Sequence, residues 1–147
     1  MRKIKLFLFL SVILAVTAKA RWVDIPLEKV ITKSDVIVVG EVIKVEPGTA
    51  YKTYGIAHLK VIEVIKSNIK LKKGDTIYMH TPLKVEESID IVHGKGKKGV
   101  WLLKKSTKKQ TDYASKKGQL YLATYPKDYQ PESSKEAIKK MVKKPSK

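Results

Sequence analysis

Asp35-Val36-Ile37-Val38-Val39-Gly40-Glu41-Val42-Ile43-Lys44-Val45-Glu46 (DVIVVGEVIKVE) is dense in β-branched residues and is interrupted once, by Gly40. Such side chains pack well on a pleated surface, and a glycine inside a strand marks a bend or a close approach of another backbone. The stretch therefore predicts a long, buried central strand, bent at Gly40 and ended by Pro47-Gly48. Upstream, Leu27, Val30 and Ile31 follow Pro26 at i, i+3 and i+4, which predicts a short helix with proline in its first turn and one narrow apolar face.

Downstream, Ile56 to Lys66 (IAHLKVIEVIK) predicts a second long strand. Thr76 to Thr81 is a third, after the turn at Lys73-Gly74-Asp75; Val100 to Lys105 is a fourth and Leu120 to Tyr125 a fifth. Ser88 to His93 is a weaker strand candidate. Ser133 and Glu136 form a capping-box pattern ahead of a helix whose Ala137, Ile138, Met141 and Val142 share one face, and Pro145 stops it. Five strands with helices at the chain ends predict a mainly β fold, a five-stranded OB-like barrel with a short N-terminal helix and a C-terminal helix. An open sandwich is the alternative. No internal repeat or domain boundary appears, and two segments, Gly94 to Gly99 (GKGKKG) and Lys104 to Gly118 (KKSTKKQTDYASKKG), read as exposed basic loops.

The first twenty residues carry a different signal. Arg2, Lys3 and Lys5 precede the apolar stretch Leu6 to Val16, and Ala18-Lys19-Ala20 is a small-x-small cleavage pattern. The apolar stretch is shorter than the roughly 20 residues of a spanning helix, so residues 1–20 read as a secretory signal peptide cut between Ala20 and Arg21. Residues 21–147 then form a single domain with an extracytoplasmic location, periplasmic or secreted. Removing Arg2, Lys3, Lys5 and Lys19 lowers the formal charge from +17 to +13. Both phenylalanines, Phe7 and Phe9, lie in the leader, so the core is built from Val, Ile and Leu with Trp22, Trp101 and the seven tyrosines.

The chain has no cysteine, which excludes a disulfide scaffold, Cys-ligated zinc, iron-sulfur clusters and thiol catalysis. Of 31 basic residues only Arg2 and Arg21 are arginine. Readers of bases and phosphates favour the planar arginine fork, whereas lysine is a hydrated point charge suited to diffuse attraction, so sequence-specific nucleic-acid recognition is disfavoured. A lysine-rich composition is equally the mark of an AT-rich genome.

The order of features resembles the netrin-like OB fold, whose familiar members are tissue inhibitors of metalloproteinases. The resemblance rests on the short helix and Ser34-Asp35-Val36-Ile37-Val38-Val39-Gly40-Glu41-Val42. It continues through a second long strand, Tyr78-Met79-His80-Thr81, the strand Gly96 to Leu103 and a final aromatic strand before a helix. It implies an OB barrel and an interaction domain acting through its edge. In that family the mature N-terminal residue is a cysteine whose amine and carbonyl chelate the protease zinc, held by disulfides. Here Arg21 takes that place and no disulfide can form.

Candidates for chemistry are sparse. His58, His80 and His93 come from different predicted strands or strand edges, where two could meet across a sheet, but without close zinc-ligand spacing. Glu86, Glu87 and Asp90 cluster without the loop spacing of a calcium site. Ser67 to Lys70 and Ser106 to Lys109 match Ser-x-x-Lys without partner motifs, and Val100-Trp101 follows Gly99 where a phosphate loop needs Lys and Ser or Thr. No cofactor is implied.

A binding surface is better motivated, because OB barrels offer one sheet face and its flanking loops, with aromatic platforms in a positive groove. Tyr51, Tyr54 and Tyr113 lie in polar loops and are the contact candidates. Lys95, Lys97, Lys98, Lys104, Lys105, Lys108, Lys109, Lys116 and Lys117 would add a cationic patch if the two basic loops meet at one end of the barrel. Tyr78 lies on the third strand, Tyr121 and Tyr125 would share a face of the fifth, and Trp101, between Val100 and Leu102, belongs to the core. The expected function is a non-enzymatic secreted or periplasmic module binding a protein or an anionic envelope polymer. A netrin-like, protease-inhibitor-type interaction domain and an envelope hydrolase are the alternatives.

Overall fold

The computed structural model describes residues 24–47, 54–83, 92–107 and 119–144. Along the chain these form α1 (Leu27–Lys33), β1 (Val36–Pro47), β2 (Tyr54–Ser67), β3 (Thr76–Pro82), β4 (Lys98–Lys105), β5 (Leu120–Leu122), a two-residue β6 (Tyr129–Gln130) and α2 (Lys135–Lys143). Strand order β1-β2-β3-β5-β4 is closed by pairing of β1 with β4. All the barrel pairings are antiparallel except β3 with β5. This is a closed five-stranded mixed barrel of OB type with a helix on its N-terminal side and another at the C-terminus.

The barrel interior is filled by Val36, Val38 and Val42 of β1, Ala57, Leu59 and Val61 of β2, Ile77 and Met79 of β3, Trp101 and Leu103 of β4, and Tyr121. Trp101 is fully buried and its indole N–H donates to the carbonyl of Gly40 at 3.1 Å, as its apolar neighbours predict. The intervening residues of β1 and β4, namely Ile37, Val39, Val100 and Leu102, point outward and are equally buried, because α1 and α2 cover them with Val30, Ile31 and Ile138. A strand buried on both faces loses polar alternation, which is why VIVV and VWLL are continuous apolar runs.

Gly40 sits at a register shift between β1 and β2, directly opposite Gly99 of β4. A Cβ on Gly40 would lie 2.9 Å from the Lys60 carbonyl oxygen, and one on Gly99 would lie 2.6 Å from the Tyr129 ring. The first glycine lets β2 approach β1 closely; the second lets β6 lie on the edge of β4.

Three expectations need correction. The fifth strand ends at Leu122, not Tyr125, because the chain leaves the barrel there and enters a 3-10 turn at Pro126–Asp128. Tyr121 and Tyr125 consequently do not share a face. Tyr121 is interior, whereas Tyr125 packs with the helix-covered cluster and its hydroxyl accepts the Ile25 N–H at 3.0 Å. The C-terminal helix has no side-chain cap: a 3-10 turn at Glu132–Ser134 leads into it with Ser134 as N-cap, so the Ser133–Glu136 box does not form. On that helix Ile138 is buried and Met141 and Val142 pack beside it, while Ala137 is exposed. Val92 and His93 lie outside any strand, and the rest of the weaker candidate, residues 88–91, falls outside the described residues, as do the leader and its cleavage site at Ala20 and Arg21. Among the described residues no helix is long and apolar enough to cross a membrane.

Candidate functional site

The outer face of β2 and β3 has a composition unlike that of the helix-covered side. A bulge at Ile43 shifts the β1 register, so that beyond it Lys44 and Glu46 stand beside the outward residues of β2. Two cross-strand rows result. One runs Lys44, His58, Tyr78, Leu120 across β1, β2, β3 and β5; the next runs Glu46, Ile56, His80, Leu122. Tyr54 lies one step further along β2 and stacks on His80, with ring centroids 4.7 Å apart and planes at 26°. His58 meets Tyr78 edge-on at 4.9 Å.

Toward β5 this face closes over a small apolar cluster of Ile56, Leu120 and the Tyr78 ring, with Leu120 fully buried. Toward β1 it is polar. The Glu46 carboxylate pairs with Lys44 Nζ at 2.6 Å through one oxygen, and its other oxygen lies 3.2 Å from His58 Nε2 without hydrogen-bond geometry. Burial pushes the His80 pKa below its ordinary value, which leaves a neutral ring available for stacking at neutral pH. Exposed Lys60, opposite Thr76, is the last β2 residue paired with β3; beyond it Ile62 and Ile65 pack with the helix-covered cluster.

Of the residues singled out from sequence, Tyr54 belongs to this face, as the first residue of β2. Tyr51, Tyr113, Lys108, Lys109, Lys116 and Lys117 lie outside the described residues. The remaining lysines do not form one patch. Lys95, Lys97 and Lys98 precede or begin β4, while Lys104 and Lys105 end it, so the strand itself separates the two groups by roughly 20 Å at about 3.3 Å per residue. Lys97 is not a solvated loop lysine. Its ammonium lies 4.2 Å from the Tyr129 ring centroid and 5.7 Å from that of Trp101, and donates toward the Val92 carbonyl at 3.4 Å. Burial lowers its pKa. Lys98 pairs with Glu132 at 3.3 Å, whereas Lys95 and Lys105 are exposed.

Sequence reasoning missed the assembly of His58, Tyr78 and His80 with Tyr54. A period-2 reading of β2 and β3 carries the signal, since Tyr54, Ile56, His58, Lys60 and Tyr78, His80 alternate with the interior residues. The third histidine is a different case. His93 is 1% exposed, its Nε2 lies 2.7 Å from the Ala123 carbonyl oxygen, its ring meets Trp101 edge-on at 4.9 Å, and burial holds its pKa down at about 4. Among the described residues no three His, Asp or Glu side chains converge as a metal site.

The OB barrel with an aromatic outer face is the class that the fold and site define. No protein-family model matches the chain, and no curated sequence is significantly similar to it.

Proposed function

We propose that this protein is an extracytoplasmic, non-enzymatic OB-fold module that binds an anionic envelope polymer across the outer face of β2 and β3. The observation that carries this reading is the pairing of Tyr54 with His80 and of Tyr78 with His58 on the sheet face that the helices leave uncovered. Flat rings held by cross-strand neighbours can stack on sugars or bases without loss of side-chain freedom on binding. Lys60, exposed on this face, supplies attraction to a negative chain. Lysine in place of arginine favours repeated diffuse contacts over recognition of one fixed sequence. The leader-like residues 1–20 support delivery across a membrane.

The test is binding of the purified protein to a fluorescent anionic oligosaccharide, with a neutral dextran of equal length as control, followed by titration with salt. Binding that selects the charged chain, weakens steeply with salt and falls at least tenfold in Tyr54→Ala or Tyr78→Ala would support the reading. Binding unaffected by both substitutions, or equal for the neutral chain, would overturn it.

A further inference from the structure

The chain ends of α1, β2, β4 and α2 meet at one end of the barrel. Lys66, near the end of β2, donates from Nζ to the Ile31 carbonyl at 3.0 Å and to the Thr32 carbonyl at 3.3 Å, which holds it against the C-terminus of α1. Met141, Val142 and Lys144, at the C-terminus of α2, line a groove together with Ile31, Thr32 and Lys66. Asp35, between α1 and β1, accepts the Asn68 side-chain amide at 3.1 Å and the Lys105 N–H at 2.8 Å, bringing the β2–β3 loop and the end of β4 to the same place.

Charge of one sign gathers there. Lys33, Lys70, Lys72, Lys73, Lys105 and Lys144 are all exposed, and no ion pair among the described residues holds any of them. The two carboxylates at this end are turned to the backbone: Asp35 as above, and Asp75 as acceptor of the Lys72 N–H at 2.9 Å. At the opposite end, by contrast, Lys44 pairs with Glu46 and Lys98 with Glu132. The β2–β3 loop also carries an aliphatic residue in water. Leu71 packs against the barrel interior and so folds the loop over the barrel end, while Ile69 is left 38% exposed beside Lys70. The Ser67 hydroxyl donates to the Ile69 carbonyl at 2.8 Å and accepts its N–H at 3.2 Å, which fixes the backbone that presents it. One exposed aliphatic alone is ordinary. Set among unpaired cations, it selects between partners. A soluble polyanion would engage the ammoniums and leave Ile69 in water, whereas an anionic bilayer engages both, with lysines at headgroup level and the aliphatic side chain at the acyl boundary.

From these features we infer that this end of the barrel docks on an anionic phospholipid surface, with the β2–β3 loop as the point of contact and Ile69 entering the boundary between headgroups and acyl chains. The inference does not depend on the polymer-binding reading, because it uses none of Tyr54, His58, Tyr78 or His80.

The chain has no cysteine, so a polarity-sensitive dye can be attached at one chosen position. Ile69→Cys and, at the exposed opposite end, Lys95→Cys are labelled in the full chain and mixed with vesicles of phosphatidylcholine alone, or of phosphatidylcholine and phosphatidylglycerol in equal parts. The dye at position 69 is expected to shift to the blue with the mixed vesicles only, and the dye at position 95 to stay unchanged. In sedimentation with the mixed vesicles, unlabelled Ile69→Ser should bind about tenfold more weakly than the unaltered chain, from the loss of aliphatic burial. Lys72→Gln should bind about fivefold more weakly, and both effects of charge should shrink at high salt. All chains compared carry the same N-terminus, confirmed by mass, so any pull of the leader on the bilayer is common to them. Both substituted positions are exposed, and unchanged fluorescence of buried Trp101 verifies the fold. No blue shift at position 69, equal shifts at both positions, or binding of dextran sulfate without binding of the mixed vesicles would each overturn the inference, the last by assigning the lysines to a soluble polyanion.

Discussion

The barrel wall has two contrasting sides. On β1 and β4 the outward residues Ile37, Val39, Val100 and Leu102 are buried beneath α1 and α2, in one cluster with Ile138. On β2 and β3 the outward residues at this end are Tyr54, Ile56, His58, Lys60, Tyr78 and His80; Ile56 is buried against Leu120, and the others are half-buried or exposed, with ring contacts joining Tyr54 to His80 and His58 to Tyr78. Both sides share one interior. The difference shows that each strand's outward residues record what covers them: aliphatic where a helix docks, and amphipathic where rings must pack on their neighbours and still meet solvent.

The contrast should break first at Leu102. Leu102→Ala removes a fully buried side chain between the barrel and its helices, and is expected to cost about 2–5 kcal/mol in urea unfolding. Tyr78→Ala on the other side should cost clearly less, because its ring is only half-buried. Equal losses would mean that the β2–β3 face is as much a structural core as the helix-covered one.

The histidines sharpen the same comparison through pH. His93 is enclosed at the barrel end with its pKa lowered from 6.5 to about 4, so below pH 6.5 the unfolded chain takes up a proton that the folded chain refuses. Stability contributed by the neutral ring is complete above pH 6.5 and is lost as the pH falls to about 4, a change of about 3 kcal/mol. His80, whose pKa burial also lowers, adds in the same direction. Unfolding free energies measured across this window should therefore fall with acid, and His93→Gln should flatten most of the limb. If that variant does not fold, an NMR titration of the His93 ring in the unaltered protein gives the same answer, a midpoint near 6.5 being the result that contradicts it.

Much of this architecture is legible in the chain. β-Branched density marks β1 and β2, and turn residues separate the later strands. The i, i+3, i+4 spacing of Leu27, Val30 and Ile31 gives α1 its buried side. Trp101 between Val100 and Leu102 was placeable in the core because a ring amid apolar neighbours has nowhere cheaper to go. The end of β5 was not legible. Leu120 to Tyr125 continues apolar and aromatic through the point where the chain leaves the barrel, and Tyr125 is apolar for a different reason, packing beneath the N-terminal segment. Nor was the site. Spacing along the chain says nothing of register between strands, and only register brings His58 to Tyr78 and places His80 one step from Tyr54.

That register can be tested by energy as well as by position. Tyr54→Ala, His80→Ala and the double variant form a cycle whose coupling should be about 0.5–1.5 kcal/mol, the range for stacked ring pairs. No coupling would separate the two rings and remove the stacked platform from the β2–β3 face.

The smallest effect belongs to the junction between the two sides. Glu63 of β2 pairs with Lys139 and, at 3.2 Å, with Lys135, tying α2 to the edge of the covered region. The hydrogen bond from Lys139, reinforced by Lys135, holds the Glu63 carboxyl below its ordinary pKa despite an opposing effect of desolvation. The pair thus stabilises the fold at neutral pH and loses its contribution as acid protonates the carboxylate. Because these side chains are partly solvated, Glu63→Gln should cost no more than about 1 kcal/mol at low salt and less at high salt. A loss approaching that of Leu102→Ala would mean that α2 is held chiefly by charge, and that the aliphatic packing of Ile138 on the barrel is secondary. The complete burial of Ile138 argues for the opposite order, with ion pairs orienting a helix that apolar contact already holds.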